Sequence, residues 1–503
     1  MVFAEEAHGH ADSWSNQFRK SVADIPNLKD CHYNQSADRL RRMLTDGLFK
    51  LTDLNHHPDR FFAAHRILSE HATEVGPGFG IRMTVQYNLF AGTILALGNP
   101  AQVAELETYQ AQGRLGCFAL TEKLAGVNSG LVVNTTATWD SATQTYVIHC
   151  PGEHAHKNWI SQGFTAEMAV CIADLIVDGV SFGPHGFLMQ LRDPYTGELL
   201  PGVNVGNMGN KTIGNDLDNA WIKFHRVRLP KTALLNRYSD IDEHGEYKQL
   251  VDGVRNIDMI GQRLYTGRAV IAYSTLVFTR TLYSKTREYS DNKMCWTPEG
   301  DRPLSTIPQL YALYAEANTS LDRLFTLMNK IETALSAHLK SNMQLTPSSL
   351  VDAISVAKIK CIETSIDLCF RLKQEIGSYA LMEGTGFSNL DYLQCCKFAE
   401  GDSRILMQKI SRDRLAAYLR TLKKESGGSN FAKGQTNVND MNYKQKEDQL
   451  CRYINLAVTN HGFKGWNDRW QEVYKLADVV IDHTLSSWVD MNTNHMVQPR
   501  SHL

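Results

Sequence analysis

The sequence lacks an uninterrupted apolar run of about 18 residues, the minimum length of a membrane-spanning helix. Its charges almost cancel, because 52 Lys and Arg residues against 54 Asp and Glu residues leave a formal net charge of −2. It also lacks internal repeats and low-complexity blocks. We therefore expect no membrane span, no nucleic-acid partner and no repeat architecture.

Cysteine is present, but not in a pattern that binds metal or forms a disulfide framework. None of the ten cysteines has CxxC spacing, and several lie in apolar helical segments, which is typical of reduced, buried thiols in an intracellular protein. The pairs His8/His10 and His154/His156 are closely spaced but have no further ligand nearby. We therefore predict no metal site.

The two termini give an expectation about location. The first residues are acidic and have neither an apolar signal core nor an Arg-rich amphipathic start, so we expect no secretory or mitochondrial signal. The last three residues, Ser501-His502-Leu503, differ by one residue from the peroxisomal address Ser-Lys-Leu. We therefore expect a peroxisomal protein, with the mitochondrion and the cytosol as alternatives.

The composition is that of a globular protein, with 43% apolar and 21% charged residues, and 503 residues are more than one core usually holds. Apolar residues recur at helical spacing before residue 115 and after residue 250, and the sequence between them is rich in strand-forming segments. The expected fold is a multidomain α+β protein. Its expected parts are an N-terminal helical domain (1–115), a middle antiparallel β domain (116–245), a C-terminal four-helix bundle (246–425), and a linker with a helical extension (426–503).

The bundle is predicted from four long periodic segments joined by short connections, 257–289, 305–340, 347–377 and 401–422. In the middle domain, strands are expected within 118–121, 131–139, 145–149, 168–177, 186–191 and 221–227.

One carboxylate lies at the junction of a loop and an apolar helix. Glu400 directly precedes Gly401, which permits close backbone approach, and Asp402 or Ser403 can cap the helix that follows. A carboxylate at such a junction can be directed into a cavity. On spacing alone, a solvated or capping role for Glu400 remains the alternative.

Several motifs in order resemble the acyl-CoA dehydrogenase and acyl-CoA oxidase superfamily, in its oxidase form. The resemblance runs from about residue 60 to residue 420. The motifs are Gly116-Cys-Phe-Ala-Leu-Thr-Glu122, Thr135-Thr-Ala-Thr-Trp-Asp140, Lys157-Asn-Trp-Ile-Ser-Gln-Gly163, Leu200-Pro-Gly-Val-Asn-Val-Gly206, Phe224-His-Arg-Val-Arg-Leu-Pro230, Gly267-Arg268 with Tyr283-Ser-Lys-Thr-Arg287, Met382-Glu-Gly-Thr-Gly-Phe387 and Phe398-Ala-Glu-Gly-Asp402.

The resemblance implies FAD as the cofactor and α,β-dehydrogenation of a fatty acyl-CoA to the trans-2-enoyl-CoA. Glu400 would be the catalytic base. A thioester α-proton is a very weak acid, so the base needs a desolvated carboxylate whose pKa is raised. The thioester oxygen would be bound by the flavin ribityl hydroxyl and the Glu400 N–H, and the β-hydride would pass to flavin N5.

The resemblance also implies a set of cofactor-binding residues. Ala119, Leu120, Thr121, Gly126, Trp159 and Ser161 would contact the flavin ring and its surroundings. Arg287 would reach the pyrophosphate of a neighbouring subunit's FAD, and Gly384, Thr385, Gly386 and Asp402 complete the set.

Each of these residues has an alternative interpretation. Trp159 could be a core residue, Arg287 a solvated helix charge beside Glu288, and Thr121 a half-buried strand hydroxyl. The two glycines could form only a helix C-cap.

Three features depart from the family pattern. The segment between Phe387 and Glu400 is short, and Val127 replaces a hydroxyl residue. Glu383 also precedes a Gly-Thr pair and could imitate the base. Glu400 is preferred because an apolar helix follows it.

The sequence leaves the electron acceptor open, O2 in an oxidase or an electron-transferring flavoprotein in a dehydrogenase. The oxidase is favoured, although the chain lacks the large second C-terminal domain of long peroxisomal oxidases. A catalytically altered flavin monooxygenase, a non-enzymatic scaffold or a purely structural helical bundle are the competing classes. A homodimer or a tetramer is expected.

Overall fold

A computed structural model describes residues 13–23, 32–70, 76–126, 129, 131–341, 345–426 and 438–490. Within this part of the chain, helices come first, strands follow and long helices return. No helix of the described residues combines the length and the apolar character that a membrane crossing needs. The N-terminal helices are α1 (Ser13–Ala23), α2 (Tyr33–Asp46), α3 (Asp53–His56), α4 (Pro58–Glu70), α5 (Pro77–Thr84), α6 (Ala91–Leu97) and α7 (Pro100–Ala111).

Local signals place the ends of these helices. Asn99 begins α7 with a capping box, in which its side chain accepts a hydrogen bond from the Gln102 N–H while the Gln102 side chain accepts one from the Asn99 N–H. A π-helical turn, Val85–Phe90, joins α5 to α6 without a break. The periodicity of the sequence did not predict this turn.

The middle part of the chain is built of strands in two main sheets. The larger sheet has the order β1-β5-β2-β3-β9, with β6 also paired to β5, and the smaller has the order β4-β8-β7. The strands are β1 (Gly116–Ala119), β2 (Thr136–Asp140), β3 (Thr145–His149), β4 (Lys157–Ser161), β5 (Met168–Val177), β6 (Val180–Gln190), β7 (Val203–Asn207), β8 (Asn219–Phe224), β9 (Val227–Pro230), β10 (Ser239–Ile241) and β11 (Tyr247–Gln249). Strands β12 (Met294–Cys295) and β13 (Arg302–Pro303) form a two-stranded ribbon within the helical part that follows.

Most of these strand pairs are antiparallel, as expected, but the larger sheet is mixed. Strand β5 pairs in parallel with both β1 and β2. Parallel neighbours need a long connection, and the intervening strands provide it. The middle domain, expected to be antiparallel, therefore contains parallel pairing at β5.

The expected strand over 131–139 begins only at Thr136. Its first part is irregular because the carboxylate of Glu122 takes up the main-chain N–H groups of Asn134 and Thr135, at 2.6 and 2.9 Å. Glu122 is itself buried in an ion pair with Lys157, at 2.9 Å. This pair fixes the point where β2 starts.

Four long helices form the C-terminal part, close to the predicted bounds. They are α8 (Asn256–Asn292), α9 (Pro308–Lys340), α10 (Ser348–Glu375) and α12 (Ser403–Ser426), with the short α11 (Asp391–Phe398) before the last. Two further helices, α13 (Val438–Asp468) and α14 (Trp470–Asp490), form a hairpin. Helix α13 is kinked at Gly462, where φ is 58°.

Buried apolar residues form three clusters. The first joins the N-terminal helices to α8, α9 and α10, and the second fills the space between the sheets. The third contains Leu406, Met407 and Ile410 of α12 together with Trp466 and Val473 of the hairpin. The fourth long helix is therefore covered largely by the C-terminal hairpin.

A buried ion pair joins the N-terminal helices to the sheets. Arg82 of α5 and Asp218 are both fully enclosed, with 2.9 Å between Nη2 and Oδ1. Arg82 also donates to Ser36, to the Thr165 hydroxyl and to the main-chain oxygen of Asp216. Asp218 in turn accepts from the N–H of Phe164.

We expect Arg82→Met to lower the free energy of unfolding by about 3–5 kcal/mol, because it leaves the Asp218 carboxylate buried without its cation. Urea unfolding followed by circular dichroism measures this change. Arg228→Met is the control, because Arg228 forms an exposed ion pair with Asp140, and such pairs contribute little. Equal effects of the two substitutions would contradict the prediction.

Candidate active site

Glu400 lies in a tight left-handed turn between α11 and α12. Its φ is 56° and that of Gly401 is 94°. A non-glycine residue with positive φ is uncommon and costs about 1–3 kcal/mol, so surrounding contacts must hold it in place. Asp402 then starts α12, because its Oδ1 accepts a hydrogen bond of 2.7 Å from the Arg404 N–H. The predicted cap is therefore present.

Two buried cations hold this turn by its main-chain oxygens. Arg268 of α8 donates from Nε to the oxygen of Glu400, at 2.8 Å. Lys358 of α10 donates from Nζ to the oxygen of Lys397, at 2.8 Å, and to the oxygen of Gly401. Both cations are bound to carbonyl groups. The Glu400 carboxylate is left free of these hydrogen bonds.

The carboxylate of Glu400 lies against the backbone of α8. A methyl group built on Gly267 would be 2.4 Å from Glu400 Oε1 and 2.8 Å from Asn88 Nδ2. Although Glu400 as a whole is partly exposed, its Oε2 atom is enclosed and has no hydrogen-bond partner within the described residues. The absence of a side chain at Gly267 makes room for the carboxylate.

Burial determines the ionisation of this group. Loss of hydration raises the pKa of Glu400 to about 8, and the positive charges of Arg268 and Lys358 oppose that rise. Burial also lowers the pKa of Lys358 to about 7; Arg268 adds to the lowering, whereas Asp402, Cys396 and Glu400 oppose it. A carboxyl group with a pKa near neutrality can take up and release a proton at physiological pH.

The π-helical turn Val85–Phe90 connects α8, the helix against which this carboxylate lies, to strand β1. On one side, Asn88 accepts a hydrogen bond of 2.5 Å from Thr266 and donates one of 3.1 Å to the oxygen of Arg263, both in α8. On the other side, Gln86 accepts a hydrogen bond of 2.8 Å from the N–H of Gly116 in β1. π-Helical turns occur frequently at functional sites.

The residues expected around the flavin ring lie in β4 and in the segment that runs on from the end of β1. Main-chain hydrogen bonds from Asn158 to Thr121 and from Lys123 to His156 join their segments. Ala119 is buried in β1, whereas Thr121 is exposed, and so is Gly126 further along the chain. The alternative of a half-buried strand hydroxyl at Thr121 is therefore wrong. The buried Lys157 binds the main-chain oxygen of Leu120, at 3.3 Å.

Trp159 is not a core residue. A β-bulge in β4 gives it a φ of 57°, and 56% of its surface is exposed. Its main-chain N–H contacts the sulfur of Met208 at 3.3 Å. Ser161, two residues on, accepts a hydrogen bond from Asn219 at 3.0 Å, so its own O–H can donate. An exposed indole and a hydroxyl that can donate are groups that a flat, polar-edged ligand can contact.

The remaining predicted residues lie at the other end of α8. Twenty residues of helix separate Gly267 from Arg287, which is about 30 Å at 1.5 Å per residue. A methyl group on Gly386 would be 3.2 Å from Leu282 in α8, and Gly384 and Gly386 have φ values of 79° and 94°. Thr385 is buried and donates to the oxygen of Met382, at 2.8 Å.

Arg287 has partners in its own helix and in α9. It donates to Asp291 at 2.8 Å and lies over the ring of Tyr314. Within one chain, Arg287 and Glu400 therefore lie in separate places.

Sequence reasoning missed Asn88 and Lys358, and it used Gly267 and Arg268 only as spacing landmarks. A signal for Lys358 was present, because apolar residues flank it one helical turn away on either side, at Ile354 and Ile362. No comparable signal marks Asn88. Among the residues described, no group of three or more His, Cys, Asp or Glu side chains is placed to hold a metal ion.

The sequence is similar to acyl-CoA oxidases. It is 29% identical over 340 residues to peroxisomal acyl-coenzyme A oxidase 3 of Homo sapiens, covering 64% of this chain and 48% of the relative. It is 30% identical over 410 residues to acyl-coenzyme A oxidase 2 of Candida tropicalis, covering 76% and 53%. The chain thus spans about half the length of the curated relatives it matches. No family model matches the sequence.

The fold is that of solved acyl-CoA oxidases and a dehydrogenase. Acyl-CoA oxidase-2 of Caenorhabditis elegans, solved with FAD, ascaroside-CoA and ATP, superposes with a TM-score of 0.76 at 17% identity, covering 94% of this chain and 75% of that one. Glutaryl-CoA dehydrogenase of Mycobacterium smegmatis gives a TM-score of 0.59 at 18% identity, covering 78% and 92%. At these identities the likeness concerns the fold.

We expect Gly267→Ala to lower the free energy of unfolding by about 1–3 kcal/mol, because its methyl group would overlap the Glu400 carboxylate. Gly261→Ala is the matched control on the same helix, since a methyl group there meets no atom within 4 Å. It should raise stability by about 0.5–1 kcal/mol. Thermal unfolding of both variants checks this contrast, and a neutral Gly267→Ala would contradict the placement of Glu400.

Proposed function

We propose that this chain is a member of the acyl-CoA oxidase and acyl-CoA dehydrogenase superfamily and oxidises fatty acyl-CoA thioesters, because its sequence is similar to acyl-CoA oxidases and its fold is shared with them. The product is the trans-2-enoyl-CoA, and the electrons pass to O2 to give H2O2. The observation that carries the proposal is the carboxylate of Glu400. It lies in a left-handed turn, and its enclosed Oε2 atom has no hydrogen-bond partner among the described residues.

Glu400 removes the α-proton of the thioester. Its Oε2 atom carries a lone pair that no described group occupies, so the proton can be transferred to that atom. Desolvation strengthens the carboxylate as a base, and this suits a substrate whose α-proton is very weakly acidic. The charges of Arg268 and Lys358 keep the carboxylate ionisable in spite of its burial.

FAD, when bound, supplies the acceptor for the β-hydride and passes the electrons on. Ala119, Leu120, Thr121, Gly126, Trp159 and Ser161 would hold its ring, with the exposed indole and the hydroxyl as the fitting groups. Gly384, Thr385, Gly386 and Arg287 would bind the phosphate end of a partner subunit's cofactor, because about 30 Å of helix separates them from Glu400. This arrangement requires a homodimer or a tetramer.

Two residues of the proposed set, Asp402 and Arg287, already have hydrogen-bond partners within the chain. Asp402 acts first as a helix cap, and its second oxygen, Oδ2, is buried without a partner among the described residues, so it can accept a further hydrogen bond. Arg287 must leave Asp291 before it can bind a phosphate. A planar guanidinium suits that exchange because it binds phosphate through two donors.

An oxidase is favoured over a dehydrogenase because the curated relatives are oxidases. The dehydrogenase, which uses an electron-transferring flavoprotein, is the second candidate. Its supporting observation is that the fold matches 92% of glutaryl-CoA dehydrogenase, which is almost the whole of that chain.

The proposed location is the peroxisome. One similar protein is named a peroxisomal acyl-coenzyme A oxidase. The predicted address Ser501-His502-Leu503 lies outside the described residues.

The visible spectrum of the purified protein tests the function. We expect a yellow flavin spectrum that bleaches when a saturated acyl-CoA is added without oxygen. On admission of air, the colour should return with one H2O2 formed per acyl-CoA consumed. Bleaching that persists in air would identify the dehydrogenase. Absence of flavin, or no bleaching with any chain length, would overturn the proposal.

We expect Glu400→Gln to retain FAD and to lose turnover by about 10²–10⁴-fold or more, because the amide cannot accept the α-proton. Glu383→Gln is the matched control. It removes the exposed glutamate that precedes Gly384-Thr385 and should leave turnover unchanged. Loss of turnover in Glu383→Gln with retention in Glu400→Gln would transfer the base to Glu383.

A further inference from the structure

Lys358 is a lysine placed where helices usually carry apolar residues. It lies in α10 between Ile354 and Ile362, one turn before and after it, and its side chain is fully enclosed. A buried lysine is costly unless its amine is hydrogen-bonded. The function proposed above does not by itself explain why an amine is retained at this position.

The amine binds both sides of the turn that carries Glu400. Its Nζ atom donates to the oxygen of Lys397 near the end of α11, at 2.8 Å, and to the oxygen of Gly401 directly after Glu400. Arg268 binds the oxygen of Glu400 between these two points. Since Glu400 has a φ of 56°, the turn depends on such contacts.

Ionisable groups surround the amine on several sides. Glu400 and Asp402 face it from the turn, Arg268 from α8 and Cys396 from α11. Its positive charge in turn acts on the Glu400 carboxylate. The amine therefore combines a mechanical contact with the turn and an electrostatic one with the base.

We propose that Lys358 is the positioning residue for Glu400: its amine fixes the Lys397–Gly401 turn, and its charge faces the carboxylate. The inference rests on the proposed role of Glu400 as a base. Because the amine binds carbonyl groups, it orients Glu400 without occupying the oxygen that receives the proton. An apolar residue of the same length would fill the space but leave two carbonyl groups without their donor.

The test compares Lys358→Met with the wild-type holoenzyme. Methionine keeps the length and the apolar packing but removes the donors and the charge. We expect kcat to fall about 10²-fold, the effect of a misplacement of about 1 Å, with a much smaller change in KM. FAD content should be unchanged. A kcat within about twofold of the wild type would overturn the proposal.

Lys330→Met is the matched control. Lys330 of α9 also donates to a main-chain oxygen, that of Trp488 in α14, at 2.7 Å. Its substitution removes the same kind of contact and should leave kcat unchanged. An equal loss of kcat in both variants would show a general effect of losing a lysine-to-carbonyl contact, and would overturn the proposal.

Lys358→Ala provides a second test if Lys358→Met folds poorly. This variant opens a space that n-propylamine can enter, and added n-propylamine should restore part of kcat. n-Propanol has the same size but lacks the charge, and should restore much less. Equal recovery with both compounds would overturn the proposal.

Infrared spectroscopy separates failure of this inference from failure of the proposed function. The band of the protonated Glu400 carboxyl is the one that Glu400→Gln removes, and it can be followed against pH without substrate. In Lys358→Met, loss of the positive charge should move the titration midpoint of the Glu400 carboxyl to higher pH. An unchanged or lower midpoint would overturn the inference. Full turnover in Glu400→Gln with a raised midpoint would overturn only the role of Glu400 as the base.

Discussion

A carboxylate that is removed from water and left without a hydrogen-bond partner needs the rest of the structure to hold it. In this chain, hydrogen bonds to main-chain carbonyl groups hold it in place. Arg268 and Lys358 bind the carbonyl groups around Glu400, and the carboxyl group itself rests on the bare backbone at Gly267. The cations fix where the group is and lower its pKa, whereas burial, the larger effect, raises the pKa.

On the flavin side of the proposed site, too, one set of residues fixes the backbone and another set is offered to the ligand. The ion pair of Glu122 and Lys157 is fully enclosed and makes hydrogen bonds to the main chain at Asn134, Leu120 and Ile172. Such a pair adds little net stability but fixes a particular backbone path. It places Thr121 and Trp159 at the surface of the β domain, so the groups offered to a ligand lie on a rigid frame.

The long helices could be predicted from the sequence because they depend on a local period. The segment predicted as 257–289 is observed as α8 (Asn256–Asn292), and the cap at Asp402 was predicted from residue type. The first half of the strand predicted over 131–139 failed because a side chain, Glu122, took the N–H groups that a neighbouring strand would have bound. This competition depends on a tertiary contact, so the β-propensity of the segment cannot reveal it.

Glu400 could be singled out from the sequence as the candidate base, but its surroundings could not be predicted. Asn88 meets Thr266 across 178 residues of sequence, and Lys358 meets Lys397 and Gly401 across 39 and 43 residues. A lysine among apolar neighbours indicates burial, but it does not name its partners. A shift from α- to π-helical hydrogen bonding over six residues is also invisible to an apolar period of 3.6.

The apolar face of α12 has a consequence for the reactive loop. This helix begins directly after Asp402, and Leu406, Met407 and Ile410 pack against the hairpin of α13 and α14 rather than against the cluster under α8. The docked hairpin therefore keeps the apolar side chains of α12 out of water. Because α12 begins directly after the turn that carries Glu400, loss of the hairpin would expose those side chains and loosen the attachment of the turn.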